Sequence, residues 1–270
     1  MAIELHHDFQ GAGRYFVPRG TLGAVELKYM PGSEAQPLAI VPPVHRGDAI
    51  YGRNNIAVSK LLQGAGFSTA QMNYAGYDHF GLSDVPLQVD HATLGTNIED
   101  IVSVMEVIEP DTNVIIVLSC LSMNTAFHAA AKLGCVSHVL GTLPFPDGHI
   151  ALQKAVSSSP EYEAKILDNG YVFLDVDPRF KVSKPMFDEA MPSVFDVNDN
   201  EGNCKPDITM VRNRHDHVIL KGLIDQWSAS LRGREYQVND VVVEGDSHAI
   251  TLPFFKALKH TLHEIAVDYC

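Results

Sequence analysis

The run Val114-Ile115-Ile116-Val117-Leu118 contains no polar residue and stops against Ser119 and Cys120. A strand with one wet face alternates apolar and polar side chains. A strand without that alternation needs apolar cover on both faces, which a parallel sheet with helices on either side supplies. Behind the run, Ala126, Ala129, Ala130 and Ala131 are small enough to let a helix lie close to such a sheet, and Gly134 is placed to end it. The junction therefore reads as a strand that breaks directly into a helix. At a nucleophile elbow this geometry lifts the hydroxyl of the turn residue above the sheet, where it can attack a carbonyl.

The remaining patterns extend the same architecture. Tyr15 to Val17, Ala24 to Met30 and Leu38 to Val41 are short apolar runs separated by Pro18-Arg19-Gly20 and Pro31-Gly32-Ser33, and they read as strands. A helix from about Arg53 to Gly64 carries Ile56, Val58, Leu61 and Leu62, and Gly64-Ala65-Gly66 stops it before a strand from Phe67 to Tyr74. Leu94, Ile98, Ile101, Met105 and Ile108 form one helical face, which ends at Pro110. A buried strand from Val136 to Gly141 leads into Pro144 to Lys205, where prolines, acids and short amphipathic pieces break the alternation. Order resumes with a strand from Ile208 to Val211, a helix near Val218 to Leu231, a strand from Val241 to Glu244 and a closing helix from about Thr251 to Val267. The expected fold class is α/β: one doubly wound, mostly parallel sheet with helices on both faces and antiparallel strands at its N-terminal edge. Residues 1–270 form a single domain in this reading, with an inserted cap at about 144–205.

A chain of 270 residues with 46% hydrophobic content can bury one large core. Twenty basic residues against thirty-three acidic ones give a formal charge of −13, which argues against nucleic acid and anionic membrane surfaces as partners. The four cysteines, Cys120, Cys135, Cys204 and Cys270, show neither paired spacing nor a C-x-x-C motif, so no disulfide framework or zinc site is indicated. Neither His6 with His7 nor His215 with His217 has the companions of a metal site. The first residues lack a basic start and an apolar stretch, and no segment reaches the length of a membrane span. The expectation is a cytoplasmic protein with no metal or other cofactor; its oligomeric state is left open.

Two residues compete for the nucleophile. If it is Ser122, the positions two before and two after are Cys120 and Asn124, both fairly small. If it is Cys120, they are Leu118 and Ser122, and a leucine would crowd a turn that normally demands glycine. Ser122 is therefore the expected nucleophile, and Cys120 reads as a small buried core residue. A serine hydroxyl needs a base in contact and an acid to hold that base's tautomer. Asp216 follows the strand ending at Val211, and His248 follows the strand ending at Glu244. Residues just beyond the C-terminal ends of parallel strands share one rim, so Ser122, Asp216 and His248 should converge there. The residue after the nucleophile, Met123, would supply one oxyanion N–H. The loop Pro42-Pro43-Val44-His45-Arg46-Gly47 would supply a second, and since proline has no N–H, Val44 or His45 is the expected donor. Asp78 and His79 lie on a loop that could border the site and read as structural. The chain order serine, acid, histidine is that of the α/β-hydrolase fold.

Several segments resemble the acyl transferase of bacterial bioluminescence, a myristoyl-acyl-carrier-protein thioesterase within the α/β-hydrolase superfamily. Ser119-Cys120-Leu121-Ser122-Met123 is similar to that family's alanine-serine-leucine-serine-alanine elbow, and His79-Phe80-Gly81-Leu82-Ser83 to its histidine-valine-glycine-leucine-serine loop. Gly66-Phe67 opens the same strand, and Asp216-His217-Val218 and Ser247-His248 stand where the family has its catalytic aspartate and histidine. The likeness runs from about Leu38 to the C-terminus and is loose in the cap, at Leu152-Gln153-Lys154-Ala155. It implies acyl transfer through a serine ester: attack on a thioester, loss of the thiol, then deacylation by water or another acceptor.

The leading expectation is thus a serine thioesterase or acyltransferase acting on a fatty or polyketide-like acyl thioester, carried by an acyl carrier protein or coenzyme A. Leu143, Phe145, Ile150, Leu152, Val156, Ile166 and Phe187 would line an apolar slot for the chain or form the cap's own core. A carboxylester hydrolase with the same triad is an alternative, as is a non-catalytic binding protein on a hydrolase scaffold. An acidic carrier would need Arg46, Arg53, Arg212 and Arg214 to gather near the pocket mouth.

Overall fold

The computed structural model describes residues 12–33, 36–43, 53–75, 93–108, 113–173, 181–190, 193–197, 205–216 and 222–269. Among them, eight strands form one sheet: β1 (Gly13–Pro18), β2 (Ala24–Met30), β3 (Leu38–Val41), β4 (Ser68–Asn73), β5 (Val114–Cys120), β6 (Val136–Pro144), β9 (Asp207–Asn213) and β10 (Val238–Val243). Their spatial order is β1-β2-β4-β3-β5-β6-β9-β10. The β1–β2 and β2–β4 pairs are antiparallel and every later pair is parallel, so the antiparallel strands lie at the N-terminal edge as expected. A separate hairpin, β7 (Tyr171–Phe173) with β8 (Lys181–Ser183), lies between β6 and β9 in the chain.

The unbroken apolar run of β5 divides its residues between two cores. Val114, Ile116 and Leu118 pack with residues of α2 (Leu94–Ile108), α3 (Ser122–Leu133) and α7 (Leu223–Gly233), among them Ile101, Val104, Ala126, Phe127, Ile224 and Trp227. Ile115 and Val117 face the other way, against Val58 and Leu62 of α1 (Arg53–Gly64) and Phe254, Leu258 and Leu262 of α8 (Leu252–Asp268). Strand alternation thus sorts a featureless sequence into the two covered faces of a three-layer molecule. On the α3 side, Ala126, Ala129 and Ala130 are buried, and Phe127 meets Trp227 edge-on at 5.3 Å. Gly134 closes α3 in the left-handed conformation, φ 66°.

β3 lies between β4 and β5, so the chain grows outward from β3 through α1 to β4 and then returns through α2 to β5 on the opposite side. Such a reversal leaves a crevice beyond the C-terminal ends of the two central strands, where ligands bind in open α/β sheets. Cys120, the last residue of β5, stands at that crevice.

The segment between β6 and β9 carries α4 (Gly148–Ser157), α5 (Pro160–Asn169), the β7–β8 hairpin and α6 (Lys184–Asp188). Val156, Ile166, Val172 and Val182 form a small core of its own, with Leu152, Tyr162 and Phe187 packed against it. Several residues expected to face either an acyl chain or one another therefore face one another. Leu143 belongs instead to the core shared with α8, and Phe145 packs on the core beneath α3. The segment is fastened to the sheet layers by polar contacts. The Glu189 carboxylate accepts from the backbone N–H groups of Leu94 (2.6 Å) and Gly95 (2.9 Å) at the start of α2. Gln153 donates to the carbonyls of Met186, Phe187 and Glu189, which fixes the turn that carries that carboxylate. The described part of the α7 helix begins at Leu223, behind Gly222; the expected start near Val218 lies outside the described residues.

Candidate active site

Cys120 is the turn residue of the elbow. It is the last residue of β5 and adopts φ 47°, a left-handed conformation that costs a side-chain-bearing residue about 1–3 kcal/mol and persists where its surroundings enforce it. Leu121 returns to right-handed angles (φ −68°, ψ −18°), and α3 begins at Ser122. The expectation of Ser122 at the turn is therefore displaced by two residues. The Ser122 side chain is buried; its hydroxyl donates to the Ser119 carbonyl (2.9 Å) and accepts from the Ser119 N–H (2.8 Å). Instead of pointing into the crevice it ties the last turn of β5 to the first turn of α3, bracing the strained residue between them.

The other two expected residues converge, but on sulfur. His248 Nε2 lies 3.0 Å from Cys120 Sγ, and His248 Nδ1 lies 2.6 Å from Asp216 Oδ2. An ionised carboxylate only accepts, so the proton of the imidazole sits on Nδ1 and Nε2 is left to accept from the thiol. Burial pushes the Cys120 thiol up to about 12; the negative charge of Asp216 adds to this, and a hydrogen bond from the Leu121 N–H opposes it. At neutral pH the group is a protonated thiol donating to histidine.

The objection to Cys120 was Leu118, two residues earlier. The space it requires is provided by the neighbouring strand: Leu118 pairs with Gly141 of β6, and a Cβ at Gly141 would come within 3.2 Å of Leu118 Cδ1. Leu121 gains room in the same way from Gly148, whose missing side chain leaves space for its Cδ2. The resemblance by itself does not choose between the two residues. Set against alanine-serine-leucine-serine-alanine, Cys120 stands opposite the first serine and Ser122 opposite the second.

With sulfur at the turn, the residue that follows it is Leu121, whose N–H hydrogen-bonds to the sulfur, and Met123 lies in the first turn of α3 as a fully buried core residue. Val44 and His45, the candidates for the second donor, lie outside the described residues, as do Asp78 and His79. Asn124 donates to Asp147 (3.4 Å), which also accepts from the Ser193 hydroxyl (2.6 Å) and the Val194 N–H (2.8 Å), so the elbow helix is linked to the segment between β6 and β9. Arg212 is engaged by Asp225 and Asp240, and Arg214 by Glu244. Arg46 and the Arg53 side chain lie outside the described residues. Among the described residues, no group of three or more His, Cys, Asp and Glu is placed to hold a metal ion, and no helix is long and apolar enough to cross a membrane.

No protein-family model matches the chain, and no curated protein matches it in sequence. Solved structures match it in shape. Alpha/beta hydrolase domain-containing protein 10 from mouse superposes with a TM-score of 0.71 at 17% identity, covering 96% of this chain and 100% of that one. Est1E from Butyrivibrio proteoclasticus gives 0.67 at 16%, covering 96% and 99%. A monoacylglycerol lipase from Paleococcus ferrophilus gives 0.60 at 16%, covering 91% and 99%. The chain has the α/β-hydrolase fold.

Proposed function

We propose that the protein is a cysteine-dependent acyl thioesterase or acyltransferase in which Cys120 is the nucleophile, His248 the general base and acid, and Asp216 the group that orients it. The observation that carries this reading is the contact of His248 Nε2 with the Cys120 sulfur while Nδ1 is held by Asp216. Because the thiol is protonated at rest, His248 takes its proton as the sulfur attacks the substrate carbonyl. The carbonyl oxygen becomes an oxyanion facing the Leu121 N–H. Collapse of this intermediate expels the substrate thiolate, which takes the proton from His248, and leaves an acyl-Cys120 thioester. Water or another acceptor then loses a proton to His248, attacks the acyl carbon and regenerates the thiol.

The sulfur nucleophile favours a thioester over an oxygen ester. From the tetrahedral intermediate of an oxygen ester the better leaving group is Cys120 itself, since a thiol is a far stronger acid than an alcohol, and the intermediate reverts. From a thioester, both candidate leaving groups are sulfur and the forward path stays open. An oxygen ester is the second reading, brought forward by the monoacylglycerol lipase among the similar folds. The substrate's carrier, coenzyme A or an acyl carrier protein, belongs to the proposal. Arg212 and Arg214 are already ion-paired, which favours a small thioester over docking of an acidic carrier at that edge.

Intact-protein mass spectrometry after mixing with a panel of acyl-coenzyme A thioesters tests the reading. One acyl mass should be gained by the native chain and by Ser122→Ala, be absent from Cys120→Ala, and be removed by neutral hydroxylamine, as a thioester is. An adduct that survives in Cys120→Ala would overturn the assignment, and no adduct with any thioester or activated ester would leave a non-catalytic binding protein.

A further inference from the structure

The histidine of the proposed triad sits on a loop, and a second buried side chain governs that loop. Asn213, the last residue of β9, is 1% exposed. Its Nδ2 donates to the carbonyl of Ser247 (2.6 Å) and to that of Ala249 (3.1 Å), the residues immediately before and after His248. The two amide protons therefore hold the backbone on both sides of the imidazole-bearing residue. Asn213 Oδ1 is buried with no hydrogen-bond partner among the described residues. A side chain that leaves one polar atom unsatisfied to reach two carbonyls is placed for those carbonyls. The approach depends on Gly245: a Cβ there would lie 2.9 Å from Asn213 Oδ1. Backbone pairing beyond the strands keeps the two loops in step, through Arg214 N–H to the Val243 carbonyl (2.8 Å) and His215 N–H to the Gly245 carbonyl (2.9 Å). Asp216 lies three residues beyond Asn213, so one strand end carries both the acid and the clamp on the histidine.

We propose that Asn213 is a positioning residue that fixes the backbone around His248 so that its imidazole spans Asp216 and Cys120, with Gly245 providing the room for its amide. The inference rests on the reading of Cys120 and His248 given above. A catalytic group must be held within about 0.5 Å of its productive place, and a displacement of about 1 Å can cost on the order of a hundredfold in rate. The clamp acts on the rate of the chemical step and leaves substrate binding alone.

The test uses the full chain and the burst of 4-nitrophenolate from 4-nitrophenyl acetate as the measure of Cys120 acylation. Asn213→Ala should retain the native circular dichroism, lower the acylation rate about 10- to 100-fold and change KM by less than about threefold. The low-field proton resonance of His248 Nδ1, absent in His248→Ala, should be sharp in the native protein and lost to exchange in Asn213→Ala. Gly245→Ala should have the same effect by pushing the amide aside, and the double variant should be no slower than the slower single one, the coupling expected of two residues in one contact. Should Asn213→Ala fail to fold, the Gly245→Ala rate and resonance decide alone. An acylation rate within threefold of native in the folded Asn213→Ala or in Gly245→Ala, or effects that multiply in the double variant, would overturn the proposal while leaving the triad standing. An unchanged burst in Cys120→Ala or His248→Ala would overturn both.

Discussion

Cys120, the proposed nucleophile, rests as a protonated thiol, since its surroundings hold the proton on sulfur well above the range of a free thiol. Peptide mapping after brief treatment with iodoacetamide at pH 7.5 should therefore find Cys120 modified much more slowly than free cysteine, and labelling at the free-cysteine rate would contradict the neutral resting state. Ser122 has the opposite role, with both hydrogen bonds of its hydroxyl inside the turn. Ser122→Ala should lower the unfolding free energy by about 1–2 kcal/mol and slow acylation without abolishing it; complete loss of acylation in a folded Ser122→Ala would return the nucleophile to serine. Asp216 and His248 were legible in the sequence because each follows a clear strand and lands on the same rim. The turn position was not legible, because the local bulk of Leu118 argues against Cys120 and the relief of that bulk, at Gly141, is not local.

At the scale of elements, periodicity located the structure well, since helix and strand repeats are written in consecutive side chains. α1 spans Arg53–Gly64 as read, and β5 runs two residues beyond the apolar run that ends at Leu118. The segment between β6 and β9 was less legible: in short amphipathic pieces, a residue facing a ligand and one facing a neighbouring helix carry the same signal, and Val156 and Ile166 proved to face Val172 and Val182. Its attachment through Glu189 could not be read at all, because the partners lie on α2, 94 and 95 positions earlier. That carboxylate meets two unpaired N–H groups at a helix start, where negative charge is favoured. Glu189→Ala should cost about 0.5–2 kcal/mol in urea denaturation and raise protease cleavage within residues 145–197; a variant as stable and as resistant as the native chain would show that the contact does not fasten the segment.

For the molecule as a whole, buried titratable groups set the response to acid. Burial lowers His138 and His149 to about 4, while desolvation raises Asp100 to about 6. Between pH 6.5 and 4 the unfolded chain binds the two histidine protons that the folded one refuses, so their contribution to stability falls as pH falls. Between pH 6 and 3.8 the folded chain holds the Asp100 proton more tightly, which opposes that loss. The balance near pH 5 is uptake of about one proton on unfolding, a slope of about 1.4 kcal/mol per pH unit. Urea midpoints should decline from pH 7 to pH 5, and His138→Gln should flatten the decline; a midpoint that rises on acidification would contradict this assignment.

The pairing of Leu118 with Gly141 spreads the requirement for an elbow over two strands. Gly141→Val should drive Leu118 against Cys120 and silence the site, and Leu118→Ala should relieve it in the same chain. A search that scans five consecutive letters for a nucleophile will pass over sequences built this way, because half of the pattern is written in the neighbouring strand.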